Sequence, residues 1–250
     1  MNIVYILPYF YPYKTGGAEV TYFHLLKELE QNKNMKSIVL SYNEFPDKKV
    51  ESWILRKLRP RGIFYVLQTL YILTKNKNKY DVVHIPFMNS GSSIRWVIFT
   101  VLKYVLNKKY LIFIHGGSCK EWRPQFIYKI FFNNADGIIA PTEYIADVYK
   151  KRIDKSISVI PPQNPSRLSS KSRSDICKEY NLDSESKIFS IIGTLKEIKS
   201  PMTILRAVLN IDKSFLKENK VIFIFAGEGE SYLELKDYVL QNNLSENIKF

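Results

Sequence analysis

A chain of 250 residues, 46% hydrophobic and 24% charged, has room for one large or two modest domains with a substantial core, and that composition excludes extended disorder. The net charge of +13 is unevenly shared: residues 1–165 carry 24 Lys and Arg against 12 Asp and Glu, a net of +12, and residues 166–250 carry 13 against 12, a net of +1. A one-sided basic surface concentrates anionic partners such as lipid head groups or phosphorylated substrates, with nucleic acid ranked last because no binding motif accompanies the charge, and a lysine-rich solvated face as the plain alternative.

The first stretch predicts a buried strand at Ile3–Leu7, an aromatic and proline-rich loop, the pair Gly16-Gly17, and an amphipathic helix carrying Leu25, Leu26 and Leu29. Glycines at a helix entrance let backbone N–H groups approach a diphosphate, although a plain chain-reversing turn explains the same spacing. No G-x-G-x-x-G follows the strand, which disfavours a dinucleotide oxidoreductase. The apolar run stops at Pro8 without a basic leader, too short for a signal peptide. Cys119 and Cys177 stand outside any ligand spacing, as reduced thiols of a reducing compartment would. The expectation is a cytoplasmic protein, with peripheral attachment to the inner face of the cell membrane left open.

Ser37–Tyr42 reads as a second strand, Asn43–Arg61 as an irregular charged stretch broken by Pro46 and Pro60, and Gly62–Lys75 as a helix. A short strand at Asp81–Ile85, a polar loop at Pro86–Ser93, a helix at Ile94–Leu106 and an apolar strand at Tyr110–Ile114 follow, the last ending at His115-Gly116-Gly117-Ser118. The apolar runs Ile63–Leu73 and Ile94–Leu106 fall short of a membrane span; they read first as helices packed on a sheet, and as a minority reading as membrane-surface helices. A helix at Gln125–Asn133, a strand at Gly137–Ala140, a helix capped by Thr142 and running to about Arg152, and a strand at Ile157–Ile160 complete the first alternation. This predicts an α/β fold with a doubly wound parallel sheet.

Asn164–Arg173, without periodicity, reads as a linker, dividing an N-terminal domain (1–165) from a partial C-terminal domain (179–250) across residues 166–178. The second alternation runs through a strand at Ile188–Ile192, a loop at Gly193–Ser200, a helix at Pro201–Leu209, a strand at Val221–Ala226, Gly227-Glu228-Gly229, a helix at about Ser231–Gln241 and a strand start at Asn247–Phe250. So few βα units make a poor independent sheet, and the expectation is a fragment, a truncated product or one half of an assembly.

The separated segments Gly16-Gly17-Ala18-Glu19, Asp81-Val82-Val83-His84, His115-Gly116-Gly117, Ala135-Asp136 through Thr142-Glu143, Val159-Ile160-Pro161, Gly193 to Lys199, and Ala226-Gly227-Glu228-Gly229 together resemble family 4 of the retaining glycosyltransferases, which have the GT-B fold of two facing Rossmann-like domains. The resemblance spans essentially the whole chain, and its specificity lies in the order and spacing of the pieces. It implies a nucleotide-sugar donor, a surface-polysaccharide or lipid-linked acceptor on the basic N-terminal domain, and a further half-domain beyond Phe250 carrying the family's Glu-x7-Glu pair. A non-catalytic or split-enzyme subunit completed by a partner chain is the alternative.

The expected site is a crevice between lobes at the strand carboxyl ends. There the Gly16-Gly17 turn donates N–H groups to phosphate, and Lys199, with Gly193 and Thr194, faces the leaving diphosphate, where charge builds as the glycosidic bond breaks. His115 donates to sugar hydroxyls or shields a developing positive ring, and by resemblance matches a histidine that contacts the transferred sugar. Glu19, His84, Gly116, Glu143, Gly227 and Gly229 complete the candidate cleft. Plainer readings stand beside these: His115 satisfying backbone at a strand end, Lys199 as a solvated loop residue, Glu143 stabilising its helix start, His84 filling core. His24 has no assigned role. Two departures from the family pattern are Thr194, where arginine is usual, and Pro162-Gln163-Asn164-Pro165 in place of Asn-Gly. With no Asp-x-Asp and no His/Cys cluster, a metal-independent reaction without cofactor is expected.

Overall fold

The computed structural model describes residues 1–13, 16–32, 34–56, 61–87, 96–116, 125–162 and 171–250. Two compact units emerge, Met1–Ser166 and Arg167–Phe250.

The first unit is built on seven parallel strands: β1 (Asn2–Ile6), β2 (Lys36–Ser41), β3 (Glu51–Ile54), β4 (Val82–Phe87), β5 (Lys109–Ile114), β6 (Gly137–Ala140) and β7 (Ser158–Val159). They lie in the order β3-β2-β1-β4-β5-β6-β7. The helices are α1 (Gly17–Leu29), α2 (Arg61–Lys75), α3 (Trp96–Thr100), which runs into a π-helical turn at Val101–Val105, α4 (Gln125–Asn133) and α5 (Glu143–Lys150). Side chains alternate across a strand with period two, so each strand feeds two cores. Val4, Ile6, Val83, Ile85, Tyr110, Ile112 and Ile114 pack with residues of α2 to α5. Ile3, Tyr5 and Leu7 pack on the opposite face with Tyr22, Phe23 and Leu26 of α1. Strand order reverses beside β1, which pairs β2 on one edge and β4 on the other, and that reversal puts the crevice for a ligand outside the carboxyl ends of β1 and β4.

The second unit holds three parallel strands, β8 (Lys187–Ile192), β9 (Val221–Ala226) and β10 (Ile248–Lys249), in the order β10-β9-β8. Its helices are α6 (Arg173–Glu179), α7 (Pro201–Leu209), α8 (Lys213–Glu218) and α9 (Tyr232–Gln241). Leu195, Leu205, Val208, Leu216, Phe225 and Leu235 form their own core.

Several expectations need correction. The charged stretch at Asn43–Arg61 contains β3, an edge strand whose Trp53 is buried while its Glu51 pairs with Lys36 at 2.6 Å. An edge strand covered on one face only shows no continuous apolar run, which hides it in the sequence. The stretch read as linker contains α6, started by a capping box in which Ser172 and Asp175 exchange hydrogen bonds. Arg173 donates to the carbonyls of Ser184 and Ser186, tying that helix to the second unit. The helix foreseen at Ile94–Leu106 changes to π spacing at Val101, and α8 was not foreseen. The last strand is confined to Ile248–Lys249. Thr142 does cap α5, accepting from the Ile145 N–H at 3.2 Å. The loop at Pro86–Ser93 beyond Phe87, Gly117, Ser118, Cys119 and Gln163–Pro165 lie outside the described residues.

Phe132, fully buried between the sheet and α5, carries a large share of the first core. Phe132→Ala is expected to cost about 3–5 kcal/mol, read in urea unfolding as a lower midpoint at unchanged slope.

Candidate active site

In the first unit Glu19, His84 and His115 collect where α1 lies over the middle of β4 and the carboxyl end of β5. His84 lies in β4 opposite Tyr5 of β1 and Leu111 of β5. His115 directly follows β5 and prolongs the ladder, its N–H bonding the Phe87 carbonyl at 2.9 Å. Strand alternation turns His84, Phe113 and His115 toward α1, where Tyr22 meets all three rings. The Tyr22 hydroxyl stands 3.4 Å from Nε2 of His84 and 3.2 Å from Nε2 of His115. A phenol has one proton to donate, so it donates to one imidazole and accepts from the other. The two histidines are thereby held in opposite tautomers.

Burial fixes their charge. Desolvation, with His115 as a nearby like charge, pushes His84 down to about 3. Desolvation pushes His115 down to about 4, against a smaller upward pull from Glu19. Burial raises the Tyr22 phenol well above its ordinary value, so all three groups are neutral near pH 7. A neutral imidazole at the edge of this cluster can donate or accept a hydrogen bond without repelling a positive centre. Tyr22 was missed by sequence reading because its i, i+3, i+4 neighbours mark it as ordinary core; only the pairing of α1 with β4 and β5 exposes its role.

The glycines divide. The Glu19 carboxylate folds back over Gly16, so that a Cβ there would collide with it, whereas a Cβ at Gly17 would meet nothing. Gly16 serves as N-cap of α1 without a side-chain cap, and Thr21 donates to the Gly17 carbonyl at 2.7 Å. The turn thus offers main-chain donors at a helix N-terminus together with a buried carboxylate acceptor, Glu19. The Gly116 carbonyl is held by the Tyr149 hydroxyl at 3.1 Å. Glu143 is exposed in the first turn of α5 and loosely paired with Lys150 at 3.9 Å, consistent with its plainer reading at a helix start.

In the second unit Gly193 to Lys199 leaves β8, and Gly227 to Gly229 leaves β9. The two loops are laced by the Gly193 N–H to Ala226, the Leu195 N–H to Glu228 and the Ser231 N–H to Leu195, at 2.9–3.0 Å. Gly227, at φ 156°, faces the Gly193 carbonyl so closely that a Cβ would overlap it, and a Cβ on Gly229 would overlap the Leu195 carbonyl. These two glycines permit loop-on-loop packing. Thr194 and Lys199 are exposed, Lys199 closing a 3-10 turn at Glu197–Lys199 before the left-handed Ser200. Among the described residues no three His, Cys, Asp or Glu side chains group as a metal-binding set, and no helix is long and apolar enough to cross a membrane.

A doubly wound parallel sheet with its crevice beside β1, followed by a second Rossmann-like unit, defines a fold of GT-B type. The model of Glycosyltransferase Family 4 matches residues 15–162, and the chain belongs to that family. An uncharacterized glycosyltransferase of Methanocaldococcus jannaschii is 22% identical over 248 residues, 94% of this chain; the chain spans 62% of that relative's length. Among solved structures, WaaG, a glycosyltransferase involved in lipopolysaccharide biosynthesis, superposes with a TM-score of 0.68 at 12% identity, over 99% of this chain and 69% of its own. A mutant of S. aureus TarM solved with UDP gives 0.63 at 10%, over 99% of this chain and 76% of its own.

Both histidines bind fewer protons folded than unfolded, so the stability they confer is full above the unfolded value of 6.5 and falls as pH drops toward about 4 and 3. The expected outcome is a pair of imidazole NMR signals that stay neutral down to about pH 5, with unfolding free energy declining from about pH 7 downward. Gly227→Ala is expected to destabilise the second unit by about 1–3 kcal/mol in thermal or urea unfolding.

Proposed function

We propose that the protein transfers a sugar, with retention, from a nucleotide-sugar donor to a surface-polysaccharide or lipid-linked glycan acceptor. The observation that carries this reading is the neutral His115 beside the α1 N-terminus in a member of Glycosyltransferase Family 4. The UDP bound to the TarM mutant, which shares this fold, supports a nucleotide-sugar as donor.

In this reading the Gly16 and Gly17 N–H groups bind donor phosphate. From the second unit, Lys199 neutralises charge on the departing nucleoside diphosphate, with Gly193 and Thr194 contributing loop backbone. Neutral His115 hydrogen-bonds a sugar hydroxyl and stands beside the developing positive ring without repelling it. Glu19 accepts from further hydroxyls, and the basic first unit takes a phosphate-bearing acceptor. Side chains and helix ends stabilise the charge, so no metal ion is required.

The test is release of nucleoside diphosphate and product from a panel of nucleotide sugars. His115→Ala is expected to lower kcat by about 100-fold or more, and chelator to leave the rate unchanged. Lys199→Ala is expected to weaken nucleoside diphosphate binding about tenfold by calorimetry. Donor binding without turnover would favour the non-catalytic or split-enzyme subunit, and no nucleotide binding at all overturns the proposal.

A further inference from the structure

Helix α2 is apolar on the side turned away from the sheet. Tyr65, Val66, Thr69 and Leu73 are buried, and the first, second and fourth of these join the main core. Yet Ile63, Phe64, Leu67 and Tyr71 are 50%, 39%, 54% and 65% exposed. At about 100° per residue these four fall within one arc of about 100°, an apolar stripe on the solvent side that only Thr74, in the last turn, interrupts. A water-facing helix surface ordinarily carries charge; this one carries Lys75 at its end, with the ammonium 5.9 Å from the Tyr71 ring centroid. The surrounding sequence is cationic. Residues 56–79 contain seven Lys and Arg and no Asp or Glu. Arg56, Lys75, Lys77 and Lys79 are exposed. The next acid, Asp81, is engaged by the Asn2 N–H at 2.7 Å. Neighbouring helices of the same layer also expose apolar groups: Tyr104 and Val105 after α3, and Ile130 of α4, beside a hollow of about 480 Å³ lined by Phe99, Tyr104, Ile127, Ile130 and Phe131.

We propose that α2 is a membrane-docking helix, lying in the plane of an anionic lipid surface with Ile63, Phe64, Leu67 and Tyr71 in the acyl boundary and its flanking Lys and Arg on the head groups. The charge selects this occupant. Two copies meeting through α2 would oppose one cationic rim to another, whereas anionic lipid complements the rim and accepts the stripe. Tyr71 with Lys75 matches the interfacial preference of an amphipathic ring and a long cationic stem. The inference does not rest on sugar transfer, and its readout involves no nucleotide.

The test is co-sedimentation of the full chain with phosphatidylcholine vesicles, with and without about one-third phosphatidylglycerol, at low salt and at about 0.5 M. Expected is partitioning to the anionic vesicles at least about tenfold stronger than to the neutral ones at low salt, weakened at high salt. The double variant Leu67→Glu, Tyr71→Glu, with circular dichroism unchanged, is expected to bind at least about tenfold more weakly. In a separate Leu67→Trp variant, added emission is expected to shift to the blue on vesicles and to be quenched by nitroxide-labelled acyl chains. Three results overturn the proposal: no preference for anionic vesicles, undiminished binding of the double glutamate variant, or self-association of the parent chain abolished by that variant in the absence of vesicle binding.

Discussion

A parallel sheet must be covered on both faces, because its strands carry apolar side chains above and below. In the first unit, the face bearing Ile3, Tyr5 and Leu7 is closed by α1 through Tyr22, Phe23 and Leu26. The same helix must begin beside the carboxyl end of β1, since the chain enters it from the loop that follows that strand. Covering the sheet therefore also brings Glu19 and the Tyr22 phenol against His84 in β4 and His115 at the end of β5. Core and candidate site share one element, and a residue such as Tyr22 belongs to both.

The polar part of this arrangement is held neutral by burial. Two imidazoles and a phenol packed against Tyr5 and Phe113 would be costly as ions, and desolvation keeps the histidines unprotonated and the phenol protonated. The Tyr22 hydroxyl donates its proton to one Nε2 and accepts the N–H of the other, so both ring nitrogens are satisfied and the two imidazoles take opposite tautomers. Near pH 7 this edge therefore presents neutral hydrogen-bonding groups and no charged imidazole. In the second unit, by contrast, Lys199 stands exposed at the end of a short 3-10 turn, where its charge is open to solvent.

The second unit follows the same logic with different parts. Its two loops are stitched together by main-chain hydrogen bonds, and side chains are absent where the backbones touch. Glycine at positions 227 and 229 is a packing requirement, since any Cβ would strike a carbonyl of the opposite loop. That requirement leaves Thr194 and Lys199 displayed on a braced loop, a better platform for chemistry than a floppy one.

What the amino-acid sequence determined by itself was everything set by local periodicity and local chemistry. Apolar runs marked the central strands, Thr142 marked a helix start, the charge count marked the basic first unit, and His115 was placed at a strand end. What only tertiary structure decided was who meets whom. Tyr22 reaches across 62 residues to His84 and 93 to His115 because the sheet order places β4 next to β1 and β5 next to β4, a placement that no local window contains. The edge strand β3, the bare apolar side of α2 and the collision that reserves position 227 for glycine are of the same kind. Spacing reports which residues share a face, but which face is covered, and by what, is settled only when the elements pack.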